Sequence, residues 1–267
     1  MILCGGMQCG GTTLASWCFL QRSDTDGVLD MRNDWILTSF ERATKPVLWI
    51  KMTVGAFRYI DVYNTYLDLG WTPQTILVVR DVRAVFDSLL GKSYGFNGTT
   101  AEEPPLRIRL RRFLDDWRFF QDSGRPILKF EELVQNERGC LEAACGALGL
   151  DWDESMISWP KGLDDISYRG VPNETFRESI TKQDRGSAIL ADRSRLNLER
   201  LPVSELDWLE ETFADYNRVH GYPETVDRAI IAQTASEREP PKFEGTKRQR
   251  LAAELERLGR TAKMLYE

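Results

Sequence analysis

A glycine-rich turn ending in two threonines stands near the start of the chain: Gly5-Gly6-Met7-Gln8-Cys9-Gly10-Gly11-Thr12-Thr13. Gly6, Gly11 and Thr13 keep the spacing of the phosphate-binding motif G-x-x-x-x-G-K-[ST], with Thr12 in place of the lysine. Such a turn lets backbone N–H groups converge on an anion, and the helix that follows adds its partial positive end. Thr12 and Thr13 add hydroxyl donors. What is missing is the point charge that works on a γ-phosphate. No strand ends in an obvious magnesium-binding carboxylate either, so ATP or GTP hydrolysis is disfavoured. The plainer reading is a tight strand–helix turn, and the threonine pair directly after Gly11 argues against it.

A second candidate is the segment Val78-Val79-Arg80-Asp81-Val82-Arg83-Ala84-Val85-Phe86-Asp87-Ser88. Arg80 falls at the carboxyl end of an apolar strand, where α/β folds place ligands. Asp81 is a good helix N-cap. Ser88 lies seven residues beyond it, two turns on and on the same side of the helix. Arg80 and Ser88 can therefore clasp one phosphate, the guanidinium through two parallel hydrogen bonds. The plainer reading is a capped helix with Arg83 and Asp87 as a surface i,i+4 pair. Two anion-friendly strand ends in one sheet ask for a ligand with two separated phosphates.

The elements that must position these residues are short apolar runs alternating with helical patterns. Strands are expected at Ile2–Cys4, Gly27–Asp30, Pro46–Lys51, Thr75–Val79 and Pro126–Phe130. They lack period-two alternation, as strands covered on both faces should. Helices are expected at Thr13–Gln21, Val54–Leu69, Val82–Leu90, Leu106–Gln121, Glu137–Leu148 and Pro202–His220. This order predicts an α/β fold: a three-layer parallel β-sheet flanked by helices, like that of the P-loop NTPases. The region from Asp153 to Asn197 reads as long loops. Residues 1–225 form the expected domain, 226–247 a charged, proline-containing linker, and 248–267 an amphipathic helix. That helix either docks on the domain's own surface or makes a dimer or partner contact.

Composition narrows the partners. With 35 basic against 41 acidic residues, the net charge of −6 argues against a dedicated nucleic-acid binder. No apolar stretch reaches the ~18 residues of a membrane span. The apolar start, Met1-Ile2-Leu3-Cys4, lacks the basic region of a secretory signal. Five cysteines at spacings matching no paired motif read as reduced thiols, and a cytoplasmic location is expected.

At these residues the chain resembles the PAPS-dependent sulfotransferases (PAPS is 3′-phosphoadenosine 5′-phosphosulfate). Their 5′-phosphosulfate loop reads roughly P-[KR]-[SA]-G-T-T, and Gln8-Cys9-Gly10-Gly11-Thr12-Thr13 occupies it. Their 3′-phosphate motif reads roughly R-D-P-R-x-x-x-x-S, and Arg80 to Ser88 matches every fixed position but the proline. Leu128-Lys129-Phe130-Glu131-Glu132-Leu133 is similar to their hydrophobic-x-[YF]-E-D-L segment. The resemblance covers about residues 1–225.

The resemblance implies PAPS as donor, PAP as product and no metal. It implies that Cys9, Gly10, Gly11, Thr12 and Thr13 hold the 5′ end, and that Arg80 and Ser88 hold the 3′ phosphate. Arg185-Gly186 is the best match for a late basic-Gly contact to that phosphate. Two departures stand out. The family's loop lysine or arginine is Cys9 here. The histidine base of the cytosolic members' K-T-H-L-P segment is Thr53, in Lys51-Met52-Thr53-Val54-Gly55. Lys51 matches that segment's lysine and is the candidate to stabilise the leaving phosphate. Asp30 or Asp34 is the candidate base, by likeness to members that use a carboxylate after the second strand. His220 reads as a residue at a helix end. The acceptor would be a small molecule, sugar or phenol. Trp152, Trp159, Tyr168 and Phe176 either line its pocket or pack in the core. The rival readings are a P-loop small-molecule kinase and a non-catalytic PAPS- or nucleotide-binding protein.

Overall fold

The computed structural model describes residues 1–29, 44–54, 58–90, 105–166, 198 and 200–228. Asp30, Asp34, Tyr168, Phe176, Arg185, Gly186 and almost all of 226–267, including the expected C-terminal helix, lie outside the described residues.

Among the described residues five strands form the sheet: β1 (Ile2–Gly6), β2 (Thr25–Val28), β3 (Val47–Lys51), β4 (Gln74–Val79) and β5 (Ile127–Lys129). Their spatial order is β2-β3-β1-β4-β5, and every pairing is parallel. Leu3 stands opposite Ile50 on one side and Thr75 on the other, which fixes the central register. Alternate residues enter opposite layers, as the pleat requires. Ile2, Cys4, Trp49, Ile76 and Val78 face one apolar cluster, while Leu3, Leu48, Ile50, Leu77 and Val79 face the other. Burial on both faces explains why the strands read as unbroken apolar runs.

One layer holds α1 (Thr12–Leu20), α5 (Phe130–Gln135), α6 (Glu137–Ala147) and the short α7 (Ser155–Ser158). The other holds α2 (Tyr59–Asp68), α3 (Val82–Leu90), α4 (Pro105–Asp122), α8 (Val203–Thr212) and α9 (Ala214–His220). Helix α1 is buried at eight of its nine positions, so it is apolar almost all round rather than striped.

Strand β2 begins and ends two residues before the expected Gly27–Asp30, and the helices depart from expectation in three further places. The helix expected from Val54 starts at Tyr59, because Val54 instead bridges Met7 in parallel and prolongs the β1–β3 edge. The N–H groups of Tyr59 and Ile60, at the start of α2, donate to the buried carboxylate of Asp116 on α4. The single helix expected over Pro202–His220 is two, broken where Phe213 leaves helical geometry while fully buried. Helix α5 follows β5 without an intervening turn residue, so nothing in the sequence announced it.

Helix α1 leads the chain from β1 outward to β2, whereas α4 leads it from β4 outward to β5 on the other side. The carboxyl ends of β1 and β4 therefore flank a topological switch point, the place where open α/β sheets bind ligands.

Candidate functional site

The first wall of the crevice is the loop from Gly6 to Thr12. The Gly10 N–H donates to the Met7 carbonyl at 3.0 Å, closing a tight turn. Cys9 (φ 65°) and Gly11 (φ 91°) both adopt the left-handed conformation. Gly11 needs to be glycine twice over. Its φ is positive, and a Cβ there would fall 2.2 Å from the ring of Phe130. No side chain caps α1 at Gly11. The first N–H groups of the helix thus face the loop side with the partial positive charge of the terminus behind them. Thr12 is buried, its methyl against Gly6. Lys51 ends β3 and is only 4% exposed, and its Nζ donates to Thr13 Oγ1 at 2.8 Å.

The second wall starts at Arg80, one residue beyond β4. Its Nη1 donates to the Cys9 carbonyl at 2.8 Å, and its guanidinium lies 4.7 Å above the Phe130 ring. One guanidinium therefore touches both the loop and the aromatic side chain that seals it. The Arg80 backbone is clamped by Tyr216, whose hydroxyl accepts from the Arg80 N–H at 3.2 Å and donates to the Arg80 carbonyl at 2.8 Å. Burial holds the Tyr216 phenol well above its ordinary pKa, so it keeps the proton it donates.

Asp81 caps α3 by accepting from the Arg83 N–H, and it also binds the Arg83 guanidinium at 2.9 and 2.6 Å. The surface pair of Arg83 and Asp87 that the plainer reading would give is not formed. Arg83 is fully buried and donates a further bond to the Pro223 carbonyl. Asp87 is buried too, and it accepts from the Arg200 N–H and pairs with the Arg200 guanidinium at 3.3 Å. The apolar layer over α3 encloses these charges, which is why they pair internally. Ser88 sits half-buried near the end of the same helix.

Phe130 and Glu131, at the start of α5, join the two walls. Phe130 packs on Gly11 and under Arg80. Glu131 accepts from the Asp81 N–H at 3.1 Å and from the Tyr222 hydroxyl at 2.8 Å.

No family model matches the chain, and neither does any curated protein sequence. Solved structures do match it. The sulfotransferase domain from the Synechococcus PCC 7002 olefin synthase superposes with a TM-score of 0.53 at 19% identity, over 80% of this chain and 94% of that one. The fold is that of the sulfotransferases. Mouse sulfotransferase SULT7A1 complexed with PAP gives a TM-score of 0.49 at 12% identity, over 81% of this chain and 84% of that one. The sulfotransferase domain from the curacin biosynthetic pathway gives 0.46 at 14% identity, over 96% and 97%.

Within this sulfotransferase fold, other residues singled out in the sequence are held by contacts of their own. His220 ends α9, with Gly221 in the left-handed position after it. Its Nε2 accepts from Trp117 Nε1 at 2.8 Å, and burial lowers its pKa to about 4, so the ring is neutral at neutral pH. Trp159 stands edge-on to Trp17 at 6.1 Å, in the layer against α1, and donates to the Met156 carbonyl. Trp152 donates to Glu154, and the Arg138 guanidinium covers its ring. These two tryptophans serve packing. None of the five cysteines is in a disulfide, and burial pushes the Cys4 thiol up to about 12. Among the described residues no helix is long and apolar enough to cross a membrane.

Three side chains that shape the crevice escaped the sequence reading: Tyr216, Tyr222 and Arg109. Arg109 projects from α4, and its Nη1 donates to the Gln8 side-chain oxygen at 3.1 Å. Each acts across 91 to 136 residues of chain, and no local spacing signals such a contact.

Proposed function

We propose that this protein is a PAPS-dependent sulfotransferase that transfers a sulfuryl group to a hydroxyl of a small-molecule or carbohydrate acceptor. The observation that carries the reading is the junction of the two walls. Arg80, at the end of β4, is bonded to the backbone of the glycine loop at the end of β1, across the switch point. A ligand seated there meets backbone donors and a helix terminus on one side, and a guanidinium with the Ser88 hydroxyl on the other. That layout suits an adenosine carrying phosphates at both 5′ and 3′ positions. The residues present fit it: the loop is drawn so tight that a Cβ at Gly10 would lie 2.9 Å from the Met7 carbonyl oxygen, which brings backbone N–H groups close to an anion.

PAPS supplies an activated sulfuryl group on a phosphate leaving group. In this reading the loop amides of Gly10, Gly11, Thr12 and Thr13 hold the 5′ end, with Cys9 shaping the turn. Lys51, already fixed against Thr13, stabilises charge on the departing phosphate. Arg80 and Ser88 hold the 3′ phosphate, with Arg185 and Gly186 as further contacts. Asp30 or Asp34, following β2, takes the acceptor proton, since Thr53 has no basic atom. Positioning and charge stabilisation do most of the work, as in phosphoryl transfer. We place the reaction in the cytoplasm, which five cysteines outside any disulfide suit.

Calorimetry with PAP and with ATP, each with and without magnesium, tests this. We expect tight, magnesium-independent binding of PAP and at least roughly tenfold weaker binding of ATP, the difference of about one charge-assisted hydrogen bond. A preference for magnesium–ATP would favour a kinase instead. Binding of PAP without release of labelled sulfate from PAPS would make the protein a nucleotide binder only.

A further inference from the structure

The loop of this chain carries a cysteine where the resemblance calls for a cation, and the structure brings a different cation to the neighbouring residue of the loop. Arg80 bonds the carbonyl of residue 9, Lys51 bonds the hydroxyl of residue 13, and Arg109 bonds the side chain of residue 8. Only Arg109 comes from the outer helical layer rather than from a strand end. Cys9 is half-buried, and its side chain packs against the apolar cluster to which α4 contributes Leu106, Leu110 and Phe113. A long cationic side chain at position 9 would therefore run into the layer from which Arg109 emerges.

We propose that Arg109 is the cation that faces the 5′ phosphosulfate, in place of a basic residue in the loop. This rests on the PAPS reading above and deepens it. In the transfer, the bond between sulfur and the bridging oxygen breaks and its electron pair stays on that oxygen. The bond from sulfur to the acceptor oxygen forms, and the acceptor's proton leaves to a base. Negative charge thus grows on the 5′ phosphate, where a fixed guanidinium stabilises it without reorganisation. Gln8 is the strut that holds Arg109 in line, and Arg109 does not merely hold Gln8.

The test is competition calorimetry with PAP and with adenosine 3′-phosphate, which lacks the 5′ group, on the full chain. Arg109→Gln is expected to weaken PAP binding ten- to a hundredfold while leaving adenosine 3′-phosphate within about twofold, as loss of one charge-assisted contact predicts. Arg109→Lys, which keeps the charge and covers the case of a poorly folded Gln variant, retains most of the affinity. Gln8→Ala weakens PAP by no more than about threefold, the worth of a neutral hydrogen bond. Adding Cys9→Lys to Arg109→Gln restores PAP binding at least severalfold. PAP affinity unchanged in Arg109→Gln overturns the proposal. So does a Gln8→Ala variant that loses as much as Arg109→Gln, which would make Arg109 a loop support only. Both outcomes leave the PAPS reading standing. Wild-type protein that binds no PAP removes that reading, and the role of Arg109 with it.

Discussion

The two walls of the crevice are built from different materials. The loop after β1 presents main chain: its shape depends on left-handed residues at 9 and 11, a 3.0 Å turn from Gly10 to Met7, and an uncapped helix start. The segment after β4 presents a guanidinium on a frame of buried side chains. Asp81, Arg83, Glu131, Tyr216 and Tyr222 each make more than one contact in that frame. A backbone wall tolerates a change of side chain so long as the turn survives, so Cys9 can depart from the expected type. A side-chain wall has no such latitude. This difference explains why the first motif reads as degenerate in the sequence while the second keeps every fixed position but one.

If the comparison holds, the second wall should be the more fragile to a single side-chain truncation. Arg83→Ala leaves Asp81 buried, uncompensated and still carrying the helix cap. We expect a loss of about 3–5 kcal/mol in denaturant unfolding, the usual cost of breaking a buried pair from one side. A loss below about 1 kcal/mol, the scale of an exposed pair, would place the charge pair at the surface and break the comparison.

Gly11→Ala attacks the backbone wall on its own terms. The left-handed φ alone costs about 1–3 kcal/mol. The Phe130 ring must also move, which carries Arg80 with it through their 4.7 Å contact. We expect a destabilisation somewhat below that of Arg83→Ala, together with loss of measurable PAP binding. Cys9→Ala, by contrast, should change unfolding by less than about 1 kcal/mol, as a half-buried small side chain would. Equal damage from Cys9→Ala and Gly11→Ala would mean that side chains, and not main chain, define the loop.

The elements were legible in the sequence because their cause is local. Apolar runs covered on both faces and helices between them leave a one-dimensional trace, and α3 was placed to the residue. The loop was legible through its glycines, and the Arg80 anchor through its place after an apolar strand. The frame behind Arg80 was not. Tyr216 meets Arg80 across 136 residues, and Arg83 reads as a surface residue until the layer above α3 is in place. The break at Phe213 was hidden because a buried aromatic suits a helix and a corner equally well. Trp152 and Trp159 show the reverse: their type permits a pocket or a core, and only packing against α1 and α6 decides.

The smallest effect expected at any single pH concerns the prop beneath the loop. Tyr59 fills the space beside Gly5 and donates its hydroxyl to the Leu3 carbonyl, and it is held at the start of α2 by Asp116. Burial pushes the Asp116 carboxyl up to about 7, against two N–H bonds that favour the charged form. The folded state therefore keeps a proton that the unfolded chain gives up above pH ~4. Its contribution to stability is full below that point and is lost as the pH rises through about 7. Asp116→Asn removes this titration while keeping one acceptor for the Tyr59 N–H. At pH 7 the net change should stay within about 1 kcal/mol, because the lost acceptor and the removed ionisation cost offset each other. Between pH 4 and 7 the thermal stability of Asp116→Asn should gain relative to that of the wild-type chain. If the stabilities of the two chains run in parallel over that range, Asp116 is ionised throughout and the backbone wall has no titrating support.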